Sequence, residues 1–485
     1  MTTSVTPIPC KLLPLELADP HSQTQWLDEP ALLFGGDKTH VDPKTGIPLY
    51  GPRSFGTPRH KPVVHAGFIG TANAVDNARK FLDLCSQGID GDDSQSPFPG
   101  CTPETGFRYK LLMPDGLVET ISRQEEREIL ETKRRRDRFE SFLLLLDRKL
   151  DVLTQRDHPL DYIVLVLTEE LYRKCRVVDY TERGKGKVHR DLRRAFKSMA
   201  MQFQKPTQIL LEPTTGLVDT ARKLDHRAKI AWNLFTGMYF KVDGLPWGPT
   251  ALPGGSCFVG ISFYRPLGDS SDLRTSVVQA FDENGEGLVL RGHKFAWNED
   301  LEGKSPHLPA ALAGQLIEMV LERYRLENKG NLPRRIVLHK TSRFEPEEQA
   351  GFEDVLTEVN IPYDLVSLCP TSEVRLLRMG QYPPLRGTVF SVGDVSFCYT
   401  SGYLHSQGGY PHGHVPSPIQ VADHIGDTSR AQLLQEVLTL TKMNWNSANM
   451  FGLMPITLRF SRLVGDILRE VPEGRTPQPK YKYYM

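Results

Sequence analysis

HRDLRRAFKSMAMQ (residues 189–202), TQILLEP (207–213) and HRAKIAWNLFTGMYFKV (226–242) form the stretch that decides the fold. The first segment predicts a basic helix and the second a short strand. The third predicts another helix, which ends just before a turn at residues 243–244. A strand between two helices is typical of an α/β domain.

Four side chains of this stretch are predicted to meet. Arg193 and Lys197 are four residues apart, so they lie on one face of their helix. Gln208 begins the strand, and Lys241 lies near the end of the second helix. A spot with two or three cations and an amide donor suits a terminal phosphate. By itself, the cluster would equally serve a nucleotide, a cofactor or a phosphoprotein.

Composition predicts a soluble globular protein of two to four domains. The chain has 485 residues, of which 39% are hydrophobic and 24% charged. Lys plus Arg and Asp plus Glu both total 59, so the net charge is zero. This balance argues against a protein that coats nucleic acid by bulk charge, but it allows a local basic channel.

Cysteine usage and hydropathy predict a cytoplasmic location. The seven cysteines are scattered and form no CxxC pair, which fits a reducing compartment better than a disulfide framework or a zinc site. The start of the chain does not resemble a signal peptide. No apolar run approaches the roughly 20 residues that a membrane-spanning helix needs, so we expect no membrane association.

The sequence divides into three parts. Residues 1–60 predict an extended segment packed on the rest of the molecule, and 61–250 alternate strands with helices, which predicts a Rossmann-like domain with a parallel sheet. Within it, residues 123–153 predict one long helix and 161–168 a buried strand. The GFIGTA turn at 67–72 lacks the GxGxxG spacing, so strand–turn–helix packing is favoured over a dinucleotide site.

Residues 251–485 predict a second α/β domain. Strands at 257–266 and on both sides of a turn at 283–285 are followed by a helix at 308–327 and a strand at 334–340. A helix, a strand near 363–369, and helices near 429–443 and 456–470 complete the pattern. Three antiparallel strands followed by helix, strand, helix and strand are typical of an RNase H-like fold.

The chain resembles a short prokaryotic Argonaute, which consists of a MID domain and a PIWI domain. The resemblance covers nearly the whole chain and depends on the order and spacing of several segments. These are EPALLFGGDKTHVDPKTGIPLYGP (29–52), KPTQIL (205–210), YFKVDGLPW (239–247), CFVGISFYRP (257–266), RRIVLHKTSRFEPEE (334–348), LTKMNWNSANMFGLMPITLRFSRLVGDIL (440–468) and KYKYYM (480–485).

The resemblance implies a pocket for the 5′-phosphate of a guide strand. Arg193, Lys197, Gln208 and Lys241 match the motif of that pocket, with His189 as a substitute in the first position. It also implies that the terminal carboxylate, on Met485, helps to hold Mg²⁺ against the guide phosphates. The three tyrosines of the tail would anchor it, with Lys480 and Lys482 near phosphate.

The resemblance further implies a PIWI domain that does not cut. Cleaving relatives hold two metal ions with carboxylates. The matching positions here are Ser262, Thr341 and Arg462, two hydroxyls and a cation. Hydroxyls are poor ligands for Mg²⁺, and a guanidinium repels it. We expect no slicing, with Arg462 contacting the nucleic-acid backbone instead.

The implied function is recognition of single-stranded DNA from invaders, directed by a short 5′-phosphorylated guide RNA. Output would come from a separate APAZ-domain effector, a sirtuin-like NADase or, as an alternative, a Toll/interleukin-receptor-like NADase. Activation of the effector would deplete NAD⁺ and so abort infection by a plasmid or phage. The activated complex could assemble into a higher oligomer. Two rival hypotheses are a guide-dependent endonuclease with a non-standard active site and a nucleotide-binding enzyme that uses the GFIGTA turn.

Overall fold

The computed structural model describes residues 23–182, 186–268, 272–280, 287–371, 373–404, 409–410, 414–449 and 452–485. The strands are β1 Gln23–Trp26, β2 Leu32–Leu33, β3 Thr39–His40, β4 Val63–Gly70, β5 Lys110–Leu112, β6 Val118–Thr120, β7 Tyr162–Leu167, β8 Val177–Glu182, β9 Gly186–Asp191, β10 Thr207–Leu211, β11 Gly248–Pro249, β12 Ser256–Tyr264, β13 Asp272–Ala280, β14 Gly287–Ala296, β15 Arg335–Lys340, β16 Tyr363–Pro370, β17 Thr388–Val392, β18 Val395–Cys398 and β19 Ile419–Gly426. The helices are α1 Pro43–Tyr50, α2 Ala72–Gln87, α3 Arg123–Glu131, α4 Arg135–Thr154, α5 Glu169–Cys175, α6 Leu192–Ala200, α7 Arg227–Lys241, α8 Glu299–Glu302, α9 Ala310–Glu327, α10 Pro346–Glu358, α11 Arg430–Leu440 and α12 Ile456–Leu468.

The N-terminal lobe, residues 61–250, is built on a parallel sheet in the order β10-β7-β4-β5, with β6 also paired to β4. The central strand β7 reads YIVLVL, and all six of its residues are buried. Alternate residues of β7 join two hydrophobic clusters, one with α2 and α7 and the other with α4, α5 and α6. The sheet is therefore covered by helices on both faces, as its apolar central strand predicted.

The C-terminal lobe, residues 251–485, supplies eight strands of a nine-stranded sheet among the described residues, in the order β1-β17-β18-β19-β16-β15-β12-β13-β14, and β1 comes from residues 23–26. β12, β13 and β14 are antiparallel, whereas β12, β15 and β16 run parallel. The predicted RNase H-like order is present, although the turn at 283–285 lies outside the described residues. On one face, α12 packs so closely on β12 that a Cβ on Gly260 would lie 2.2 Å from the Thr457 carbonyl oxygen.

Three sequence predictions were wrong in detail. The long helix at 123–153 is two helices, and the Arg138 guanidinium donates to the Thr132 carbonyl at the break, 2.7 Å away. The segment before residue 60 contains the helix α1 as well as extended pieces. The basic helix begins at Leu192 instead of His189, because the Asp191 carboxylate caps it by accepting from the backbone N–H of Arg193.

Residues 23–60 form a strap across both lobes. β1 extends the C-terminal sheet by pairing with β17, and β2 pairs with β11 at the end of the N-terminal lobe. Glu29 accepts from two buried cations of the C-terminal lobe, Arg386 at 2.8 Å and Lys442 at 2.8 Å. The strap therefore supplies a counter-charge that the C-terminal lobe needs. None of the described helices combines the length and apolar character needed to cross a bilayer.

Candidate phosphate-binding site

Two buried lysines meet at one backbone carbonyl. Lys197 on α6 and Lys241 at the end of α7 both donate to the Thr207 carbonyl oxygen, the latter at 3.0 Å. Lys197 also donates to the Thr207 hydroxyl at 2.9 Å, and Lys241 to Gln208 Oε1 at 2.7 Å. The side chains of both lysines are almost inaccessible, with 2% and 1% exposed.

The fold brings these groups together from three neighbouring elements. β10 is the edge strand of the parallel sheet, and it carries Thr207 and Gln208 at its start. α6 is joined to β10 by a short 3-10 turn, Met201–Phe203, and α7 packs on the same sheet, so the two helices bring one ammonium each to that edge. Sequence spacing identified both lysines and Gln208.

Neither buried ammonium is neutralised by a carboxylate within the described residues. Burial is the main cause that holds the pKa of Lys197 well below its usual value, and repulsion from Lys241 and Arg193 adds to it. Burial and Arg193 lower the pKa of Lys241 to about 7. A buried unpaired charge is costly. An anion that entered the site would therefore favour the charged form of both lysines.

The tail packs beside this cluster. Tyr481, Tyr484 and Met485 are 1%, 1% and 3% exposed, so the end of the chain is not frayed. The Tyr481 ring stacks on Phe460, and the Tyr484 hydroxyl donates to the Gln478 carbonyl at 2.7 Å. These contacts fix the terminal residues in the interior, as the tyrosine-rich tail predicted.

Arg193 connects the cluster with the tail. Its guanidinium donates to the Tyr484 carbonyl at 3.4 Å, while much of the side chain stays exposed. The charge of Arg193 also affects the pKa of Lys197, Lys241 and Tyr481, so it lies close to all three. Arg193 is thus placed between the buried lysines, the tail and solvent.

His189 does not join the cluster in the described part of the chain. It lies on β9 rather than one turn before Arg193, and its Nδ1 is 2.7 Å from the Asp179 carboxylate on the paired strand β8. The expectation that His189 replaces Arg193 assumed a helix that the structure does not contain at this position.

Two residues that contact the site residues or the tail were not identified from the sequence. The Thr207 carbonyl accepts from both lysines. In the sequence, only its position just before Gln208 could have indicated that Thr207 belongs to the site. Asp243 accepts from the Lys482 ammonium through both carboxylate oxygens, each 2.7 Å away. Lys482 was expected near phosphate, and in the structure its ammonium contacts this carboxylate. No local pattern links residues 239 positions apart.

The three positions of the expected inactive centre lie in the C-terminal lobe. Ser262 is on β12, and Thr341 directly follows β15. Because Gly260 pairs with His339 in parallel register, Ser262 and Thr341 lie at the same end of these two strands. Arg462 is exposed on α12, which packs on β12. Within the described residues, no three His, Cys, Asp or Glu side chains form a metal-binding group.

Neighbouring residues pack closely against the glycines of the GFIGTA turn. β4 ends at Gly70, and α2 begins two residues later, so the segment is the predicted strand, turn and helix. A Cβ on Gly70 would lie 2.7 Å from the Val166 carbonyl oxygen, and one on Gly67 would lie 2.8 Å from the Leu160 side chain. These glycines allow close packing against strand neighbours, which disfavours a nucleotide cradle here.

Neither a protein-family model nor a curated protein matches the sequence, but solved structures match the fold. An Argonaute of Clostridium butyricum, bound to a guide DNA and a 19-mer target DNA, gives a TM-score of 0.66 at 16% identity over 94% of this chain and 54% of its own. A. aeolicus Argonaute gives 0.56 at 16% identity over 94% and 54%. Drosophila Piwi gives 0.58 at 14% identity over 95% and 56%.

The chain has an Argonaute-like fold. The match confirms the predicted α/β class, a Rossmann-like MID domain followed by an RNase H-like PIWI domain. The chain spans only 54% to 56% of the length of these Argonaute and Piwi proteins.

Proposed function

We propose that this protein binds a short guide RNA by its 5′-phosphate and uses it to recognise single-stranded DNA. The observation that carries the proposal is the pair of buried lysines, Lys197 and Lys241, which share one carbonyl acceptor and have no carboxylate partner in the described residues. An anion beside this pair would favour the charged form that burial disfavours. Gln208 adds an amide and Arg193 a flexible cation at the solvent side, which suits a terminal phosphate.

The Argonaute-like fold supports a nucleic acid as the source of that phosphate. The similar Clostridium butyricum protein was solved with a guide and a target strand. In such a protein, specificity comes from base pairing, while the protein holds the backbone by charge and shape. The equal totals of 59 basic and 59 acidic residues are compatible with this mode of binding, which needs a local cluster of cations and no overall positive charge.

Mg²⁺ at the guide 5′ end belongs to the same proposal. The terminal carboxylate on Met485 is a hard oxygen donor, and the carbonyl of the preceding residue, Tyr484, accepts from the Arg193 guanidinium. One carboxylate cannot satisfy Mg²⁺ alone, but Mg²⁺ keeps several waters and commonly takes phosphate oxygens as ligands. The residues therefore fit a metal that binds together with the guide.

The proposed output is recognition without cleavage. Ser262, Thr341 and Arg462 offer no carboxylate at the matched positions. The effect in the cell would then come from an APAZ-domain effector, with a sirtuin-like NADase favoured over a Toll/interleukin-receptor-like one. Recognition of an invading plasmid or phage would trigger NAD⁺ depletion and abortive infection. This part of the proposal depends on the sequence resemblance.

The binding test compares 5′-phosphorylated and 5′-hydroxyl guide RNAs of the same sequence. Wild-type protein is expected to prefer the phosphorylated guide strongly. Lys197→Met/Lys241→Met keeps the side-chain volume but removes charge-assisted hydrogen bonds worth about 1.5–3 kcal/mol each, so the preference should disappear. Lys80→Met is the matched control, because Lys80 forms an exposed ion pair with Asp76 on α2. Equal binding of both guides by wild-type protein would refute the phosphate site.

The output test adds complementary DNA and Mg²⁺ to the guide-loaded protein. No site-specific product is expected, whereas a defined product would establish the endonuclease alternative. Addition of the co-purified effector and NAD⁺ should then give target-dependent NAD⁺ loss.

A further inference from the structure

The end of α7 carries a residue that is poorly suited to its position. After Lys241 the helix closes with a backbone N–H bond from Gly244 to the Tyr239 carbonyl at 3.0 Å and one from Asp243 to the Phe240 carbonyl at 3.1 Å. This pattern requires a left-handed residue, and Asp243 has φ +71°. Glycine or asparagine is usual at such a position. A carboxylate at the C-terminus of a helix is also disfavoured by the helix dipole.

Contacts from distant parts of the chain compensate both disadvantages. The Lys482 ammonium lies 2.7 Å from each carboxylate oxygen of Asp243. The Arg59 guanidinium donates to the Asp243 carbonyl at 2.5 Å. Burial lowers the pKa of Lys482, which Asp243 opposes. Lys482 belongs to the tail, and Asp243 is two residues from Lys241, so this ion pair joins the two sides of the phosphate-binding site.

We infer that Asp243 and Lys482 are positioning residues, which lock the tail against the end of α7 so that Lys241, Arg193 and the terminal carboxylate keep the geometry that grips a phosphate. The lock depends on the proposed function for its purpose. In this proposal Lys482 acts on the tail through its ion pair with Asp243, and it is not itself a phosphate ligand.

A second contact attaches the tail to the segment before β10. The Tyr483 hydroxyl donates to the Gln204 carbonyl at 3.2 Å, and Gln204 is itself left-handed, with φ +52°, at the end of the turn before β10. The tail is thus fixed to the segment that leads to Gln208 and to the end of α7. If either attachment of the tail is lost, the tail can move relative to α6 and α7, which carry the cations of the site.

Conservative variants separate a lock from a direct phosphate ligand. Asp243→Asn keeps a residue that tolerates positive φ, and Lys482→Gln removes the charge but keeps a polar, slightly shorter side chain. In a lock, both variants should lower the preference for the 5′-phosphorylated over the 5′-hydroxyl guide about fivefold, and the double variant should be no worse than either single one. If Lys482 instead bound phosphate directly, Asp243→Asn would release it and raise the preference, which would overturn the inference.

The control and a second measurement keep the result interpretable. Asp76→Asn breaks the exposed ion pair with Lys80 in the same lobe and should leave the preference unchanged. Amide hydrogen exchange of residues 480–485 in full-length protein should speed up in both lock variants; unchanged exchange would refute the lock. If wild-type protein does not distinguish the guides, the proposed function fails, and the exchange data still show whether the ion pair holds the tail.

Discussion

Buried lysines in the two lobes have different partners: a carboxylate in the C-terminal lobe and neutral oxygens in the N-terminal lobe. In the C-terminal lobe, Lys340 lies 2.5 Å from Glu348, and both side chains are almost completely buried. In the N-terminal lobe, Lys197 and Lys241 are as deeply buried but reach only neutral oxygens. The first arrangement is complete within the protein. The second contains two cations and no carboxylate among the described residues, which is the arrangement expected of a candidate anion-binding site.

The largest expected difference between the two regions is in stability. Lys340→Met leaves Glu348 buried with only the Leu308 backbone N–H as a described partner, so it should cost about 3–5 kcal/mol in the free energy of unfolding. Lys241→Met removes an unpaired buried amine and should cost little or even stabilise the free protein. Urea unfolding of both variants measures the contrast, and Lys340→Met/Glu348→Leu should recover most of the loss. If Lys340→Met and Lys241→Met lowered the free energy of unfolding equally, the proposed difference between the two buried lysine sites would be wrong.

The pH dependence of guide binding tests whether the buried Lys241 becomes charged when a phosphate binds. Because the pKa of Lys241 in the free protein is about 7 and a phosphate raises it, binding should take up protons above that pH. Affinity for the phosphorylated guide should fall up to about tenfold per pH unit for each proton taken up. Calorimetry in buffers of different ionisation enthalpy measures this uptake. Its absence in the wild type would contradict the assignment of Lys241 as a ligand.

The free protein should respond to pH in the opposite direction. A lysine whose pKa is lower in the folded than in the unfolded state binds fewer protons when folded. Stability of the unliganded protein should therefore fall as pH decreases from about 10 to about 7. Lys241→Met should flatten that dependence, and an unchanged profile would place the titration elsewhere.

The smallest expected effect concerns Arg462. It is exposed on α12, so a contact with the target backbone would be a surface contact worth about 0.5–1 kcal/mol. Arg462→Ala should weaken target binding slightly for every sequence and reduce the salt slope by about one ion. Arg475→Ala, at another exposed position, serves as control. A sequence-dependent effect would mean that Arg462 does more than contact the backbone.

The sequence predicted what local patterns determine. The apolar run of β7, the strand–helix alternation around it and the spacing of the four site residues all depend on short-range periodicity. The structure brings Lys197 and Lys241 together at the Thr207 carbonyl, and Lys241 also contacts Gln208. The start of α6 was wrong because the Asp191 cap outweighed the helix propensity of the preceding residues.

What could not be predicted depends on distant pairing. The bond between Lys482 and Asp243, the counter-charge of Glu29 for Arg386 and the addition of β1 to the C-terminal sheet all join residues more than 200 positions apart. Such contacts follow from how whole elements pack, and no window of sequence contains both partners. Lys482 was therefore assigned to phosphate, since only the complete fold shows the carboxylate opposite it.

The strap has a consequence for synthesis on the ribosome. Glu29 is made early, but its partner Arg386 follows 357 residues later. At roughly 5–20 residues per second, this interval is on the order of 20–70 s. During that time the strap cannot complete its contacts with the C-terminal lobe, and the edge of β17 does not yet exist. The contacts between the strap and the C-terminal lobe should therefore form late in folding, so removal of residues 23–29 is expected to impair a lobe that is translated long after them.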